Sequence, residues 1–316
     1  MDIFRDSDDN PSAYIALMRY SCVYTVPIYL LSMYCVLFVT ASKSAFKWNI
    51  AYHCTVAFLF EIILNVGATP VLYIQIIGGH PVGLMTMIGI PPIWQLVVVI
   101  VLLSETGLSL VQLFHYQYRY IVPSSYFLRI RPLFTKILFI YLYLLGLVLN
   151  FVLVLLSIPE QTLLKKKIRE YYFPVPQSLI SNGSLIVVDP TVRRFPFYLV
   201  PPLVNVVIGA FACVYFAFSI IHYLYASKLF RSQQLLKLQK AVITELCVKA
   251  SVSAAVFVIP GCIILGSFLL KQSSQDIINH CLYCIGSIGS AGNLGMLMSS
   301  PRYRKRLKHF ILGMCL

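Results

Sequence analysis

The sequence predicts an all-α membrane protein: a bundle of seven transmembrane helices, with the N-terminus outside and the C-terminus in the cytoplasm. Three observations lead there. The 316 residues are 59% hydrophobic and only 11% charged, against about 25% charged in a soluble domain. A mean hydropathy of +0.81 leaves too little polar surface to coat a globule in water. Finally, Lys and Arg are distributed unevenly between the connections.

A helix needs about 20 mainly apolar residues to cross ~30 Å of hydrocarbon at ~1.5 Å per residue. Seven runs meet that requirement, at 20–41, 48–72, 94–115, 133–158, 197–225, 248–270 and 278–299. The stretch 74–93 is uncharged and partly apolar, but its Gly and Pro content argues against an eighth span. It reads as a connection that can dip into the interface. "MDIFRDSDDNPSAY" has no apolar core, so no cleavable signal peptide is expected, and the first run serves as an anchor. The organisation is one membrane domain, 20–299, between an extracellular tail, 1–19, and a basic cytoplasmic tail, 300–316.

Orientation follows from the cations, which collect on the cytoplasmic side. The odd-numbered connections and the C-terminal tail hold sixteen Lys and Arg, Lys249 among them, against one acid, Glu245. The other side holds nine cations and eight acids. The loop 159–196 dissents with six of those nine cations, yet it carries Asn182-Gly183-Ser184, an N-glycosylation acceptor used only on the lumenal side. The net charge of +14 therefore reflects topology and attraction to anionic lipid. Nucleic-acid binding would need a basic soluble face, which this chain lacks.

Two acids lie deep in apolar runs. Glu105 is eleven residues past Trp94, about 16 Å along a helix, and Glu61 lies at a similar depth past Trp48. Both should face the bundle interior. They line a ligand pocket or form a polar core that binds a ligand, proton or ion; the plainer alternative is a protonated carboxyl hydrogen-bonded to a neighbour. Arg119 falls about 21 Å beyond Glu105, at the cytoplasmic mouth among Tyr116, Tyr118 and Tyr120. It is either a snorkelling cation or a latch on the inner helix ends. Pro260 interrupts the sixth run and offers a kink that can act as a switch.

The segment 228–250 mixes Leu with Lys and Gln and reads as a helical extension with a surface for a cytosolic partner. The tail "SPRYRKRLKHFILGMCL" suits a helix on the inner membrane surface, with Cys315 a candidate for palmitate. The cysteines pack mostly as small hydrophobes, and none lies in 55–212. No disulfide can therefore tie the outer mouth of the third helix to the loop 159–196. "HCLYC" lacks a second ligand pair, so no metal site and no cofactor are expected. No HExxH, GxSxG or phosphate-binding glycine loop is present, and the chain does not read as an enzyme.

The runs "VPIYLLSMYCVLF", "GHPVGLMTMIGIP", "SIPEQ", "FPVP" and "PRYR" occur in that order along the chain. With them the sequence resembles the nematode serpentine chemoreceptors of class H (Srh), in the Str group. The resemblance implies a bundle of the G protein-coupled receptor type in chemosensory neurons, working in olfaction at the plasma membrane. It implies a small odorant or other chemical as ligand and a heterotrimeric G protein as partner. The coupling face would draw on Arg119, Tyr118, Arg231, Lys237, Lys240 and Arg304. Two departures stand out. Where the family shows acid-Asn-Arg, this chain has Gln117-Tyr118-Arg119. Where rhodopsin-like receptors have Asn-Pro in the seventh helix, it has Gly292-Asn293-Leu294. A seven-helix transporter or ligand-gated channel is the alternative, and a ligand-free structural or trafficking partner is a third reading.

Overall fold

The computed structural model describes residues 11–39, 45–73, 78–149, 151–152, 165–166, 185–187, 195–227, 233–270 and 274–314. Its architecture is helical, and several spans begin or end at a proline. The first span is Ser12–Tyr20 continued by Cys22–Tyr34 and a π-helical end, Cys35–Val39. It therefore starts nearer the N-terminus than the apolar run alone predicts. The second is Ala45–Ile62 with a π-helical end, Ile63–Ala68. The third, Pro92–Ile121, opens on proline, whose missing N–H costs nothing in a first turn. The fourth also opens on proline, Pro132–Tyr143, and passes into Leu144–Leu149.

The fifth and sixth lie within Phe195–Ala226 and Gln233–Leu270. The seventh is two helices, Gln275–Ile285 and Ile288–Ser299, bent by 50°. A further helix, Pro301–Met314, follows it. The apolar side chains left outside, such as Phe38, Leu133, Ile140, Phe211 and Val214, are the surface that a bilayer covers.

The connection after the second span opens with a β-hairpin. Thr69, in the left-handed region at φ 44°, reverses the chain, and its Oγ1 donates to the Asn65 carbonyl at 2.6 Å. Strand β1, Pro70–Tyr73, then pairs antiparallel with β2, Gly78–Pro81. β2 pairs in turn with β3, Ile186–Val187, through Gly78–Val187 and Gly79–Ile186. Glycine at position 83 lets the chain after β2 fold back, because a Cβ there would lie 2.1 Å from the Gly67 carbonyl oxygen.

This hairpin caps one end of the bundle over a core of Tyr14, Met18, Phe60, Val71, Tyr73, Leu185 and Ile278. Tyr14 Oη donates to the Pro70 carbonyl at 2.8 Å, and Gln275 Nε2 donates to the Leu72 carbonyl at 2.8 Å. A second core, around Phe114, Tyr118, Phe216, Ile243 and Leu297, fills the opposite end, beside the helix Pro301–Met314. The two are called below the hairpin end and the tail end.

Candidate functional site

A polar seam runs between the two cores. On the second span, Cys54, Glu61 and Asn65 stand seven and four residues apart, so they share one helix face. That face meets the seventh span at its bend. Bending there costs the helical bond between the Ser290 N–H and the Gly286 carbonyl, and side chains of the second span replace it. Asn65 Nδ2 donates to the Gly286 carbonyl at 2.8 Å and to Ser21 Oγ at 3.0 Å. Glu61 Oε1 accepts the Ser290 N–H at 2.7 Å, and Oε2 accepts the Ser290 hydroxyl at 2.6 Å. Thr25 of the first span meets the same hydroxyl at 3.3 Å. Buried backbone groups need such partners in an apolar solvent, which is why a carboxylate-bearing residue at 1% exposure is tolerated here.

The close approach depends on small residues spaced by three on the seventh span. A Cβ at Gly286 would lie 2.0 Å from Asn65 Oδ1, and one at Gly289 would lie 2.9 Å from Ala57 Cβ. One at Gly292 would strike Ser253 Oγ of the sixth span at 2.3 Å. Small faces of this kind let membrane helices bring their backbones together.

Toward the tail end, the seam holds a cation. Lys249 is 1% exposed. Its Nζ donates to Asn293 Oδ1 at 2.8 Å and to Cys54 Sγ at 3.4 Å, and the Cys54 thiol itself lies 3.4 Å from that Oδ1. Lys249 is therefore not part of the cytoplasmic cation belt where the sequence reading placed it. It is inside the bundle and joins the sixth, seventh and second spans. His53, next to Cys54, extends the network to the third span: its Nδ1 lies 2.8 Å from Ser109 Oγ. Ser109 Oγ also lies 2.9 Å from the Thr106 carbonyl of its own helix.

Among the described residues, Glu61 and Glu105, read together from the sequence as pocket or polar core, have no hydrogen-bond partner in common. Glu105 is half-buried on the third span and accepts from Tyr52 Oη at 2.5 Å. Gln112 Nε2 and Tyr143 Oη bond further along, between the third and fourth spans.

At the tail end, Arg119 is exposed, and Tyr118 beside it is 1% exposed. Tyr118 Oη donates to the Leu128 carbonyl at 2.9 Å and accepts the Ile130 N–H at 2.6 Å. Arg129 stacks on that ring at 5.0 Å and donates to the Tyr118 and Val122 carbonyls, at 3.1 and 2.6 Å. The guanidinium that organises this turn is thus Arg129, while Arg119 is exposed.

Pro260 is buried within the continuous helix Gln233–Leu270. Lys237 and Arg304 are exposed, and the Lys240 ammonium lies 5.0 Å over the Tyr225 ring. Asn182 and Arg231 lie outside the described residues. Sequence reasoning passed over Asn65, Cys54, His53 and Ser290, met Asn293 only as a departure from Asn-Pro, and placed Lys249 on the cytoplasmic side. The four- and seven-residue spacing around Glu61 was the available signal for the first two.

The bundle superposes on the crystal structure of squid rhodopsin with a TM-score of 0.58 at 11% identity, covering 100% of this chain and 91% of that one. Seven spans with this topology make the chain a multi-pass membrane protein with the fold of the G protein-coupled receptors. Residues 9–313 match the serpentine type 7TM GPCR chemoreceptors Srh, and the chain belongs to that family. No curated protein matches the sequence.

Proposed function

We propose that the chain is a chemosensory receptor of the plasma membrane that binds a small odorant from the hairpin end and signals through a heterotrimeric G protein at the tail end. On this reading the hairpin end and Asn182 are extracellular, and the cell is a sensory neuron. The observation that carries it is the Lys249–Asn293–Cys54 knot, which joins three spans through one buried ammonium. Such a knot is a discrete tie between helices. A ligand that binds one helix packing better than another shifts the balance between a closed and an open knot.

The half-buried Glu105–Tyr52 pair is the ligand contact, and Glu61 is the polar core behind it. Pro260 is the pivot of the sixth span. Arg119, Lys237 and Arg304 form the exposed coupling face together with Arg231, and Tyr118 braces the turn beside them.

The test is expression with a promiscuous G protein and a screen of volatile and water-soluble compounds by calcium imaging. Glu105→Gln should shift the response to an active compound, and Arg119→Ala should weaken it. If both variants respond to every active compound as the wild type does, the assignment of these sites fails. Ligand-evoked current in cells without G proteins would favour a channel instead.

A further inference from the structure

Between the tail-end halves of the fifth and sixth spans lies a cleft of about 480 Å³. It faces away from the polar seam: Val248 and Val252 line it, while Lys249 turns to Asn293 on the other side of the same helix. Four of its residues on the sixth span, Lys240, Thr244, Val248 and Val252, are spaced by four and form one stripe. That stripe grades from a cation through a hydroxyl to branched hydrocarbon over about 18 Å, comparable with half of a ~30 Å hydrocarbon layer. The opposite wall carries Tyr225 at the mouth and Ile221 further in, at 59% and 41% exposure, so the cleft opens sideways toward the bilayer. The Tyr225 ring holds the Lys240 ammonium at the mouth, 5.0 Å from its centroid. Lys237, one turn outward, is exposed as well.

We infer that this cleft binds an anionic glycerophospholipid, with its phosphate at Lys240 and an acyl chain along Val248 and Val252. The inference rests on the orientation proposed above, which puts the tail end in the leaflet where anionic lipids concentrate. A free phosphate would find one ammonium and an apolar wall. A phosphatidylcholine would fill the apolar wall, but its head group has no net charge to set against the ammonium. An anionic lipid matches both ends of the stripe.

The test uses the purified full chain in detergent and counts retained lipid by native mass spectrometry. The probes are dioleoylphosphatidylserine, dioleoylphosphatidylcholine and inorganic phosphate. Wild type should retain the serine lipid roughly fivefold over the choline lipid, the preference that one surface cation confers. Lys240→Gln should abolish that preference, and Lys240→Glu should reverse it. Val252→Trp should lower retention of both lipids by filling the cleft. Lys240 is exposed, so its variants keep the test sound even where the tryptophan variant folds poorly. Equal retention of the two lipids by wild type, an unchanged preference in Lys240→Gln, or displacement of the serine lipid by millimolar phosphate would each overturn the inference. The measurement requires no signalling, so it stands or falls separately from the receptor assays.

Discussion

Glu61 accepts the backbone N–H of Ser290, the group that the bend in the seventh span deprives of its helical partner. The acid is thus part of the covalent-scale geometry of a neighbouring helix, and its removal exposes a backbone defect as well as a lost side-chain bond. Glu61→Leu should leave the buried Ser290 N–H unsatisfied and the Ser290 hydroxyl with Thr25 alone, and cost about 2–3 kcal/mol. Glu61→Gln keeps an acceptor for the N–H and should cost about 1 kcal/mol. Thermal unfolding of the purified chain in detergent distinguishes them, and equal losses would sink this account.

Lys249 and Asn293 should behave as a coupled pair. Asn293→Leu strands a buried ammonium and should cost about 3 kcal/mol. Lys249→Met removes the charge and leaves a stem of similar shape, so it should fall within about 1.5 kcal/mol of wild type. The double variant should recover most of the loss caused by Asn293→Leu. Strict additivity of the two in a thermal-shift cycle would show that the knot is not a unit.

Gly292 should be replaceable only together with its neighbour. Alanine there meets Ser253 Oγ at 2.3 Å, so that side chain must turn aside and give up its bond to the Ile288 carbonyl at 3.4 Å. Gly292→Ala should lose about 1–3 kcal/mol by overpacking, and Gly292→Ala with Ser253→Gly should regain most of it. The readout is again melting temperature, with cell-surface expression as a second measure.

Tyr118 and Arg119 should separate despite being adjacent. Tyr118→Phe leaves the Ile130 N–H without its acceptor and should cost about 1–2 kcal/mol. Arg119→Ala touches no helix contact and should leave stability within about 0.5 kcal/mol. Comparable destabilisation by the two would mean that the exposed guanidinium has a structural part after all.

Composition and run length made the bundle legible, because a bilayer imposes both on any chain that crosses it. The depth of Glu61 was legible for the same reason. Lys249 was not, because it stands where a basic amphipathic segment runs into an apolar one, and a cation at a span boundary ordinarily reaches for water. Its partners lie on helices distant in the chain, and only packing brings them together. The bend of the seventh span carries no proline to announce it; the three-residue spacing of Gly286, Gly289 and Gly292 was the visible trace. The hairpin was missed because its second strand, Gly78–Pro81, is made of residues that ordinarily interrupt strands. Arg119 reads from its place in line as either a snorkelling cation or a latch, while the side chain that gathers the neighbouring carbonyls is Arg129, ten residues on.

The zipper between β2 and β3 matches Ile186 and Val187 to a strand that offers only Gly78 and Gly79. Among the described residues, main-chain groups make that join, and Leu185 next to it packs in the core. Replacing the amino acids on the other half therefore rewrites the face of the cover while its fastening stays intact.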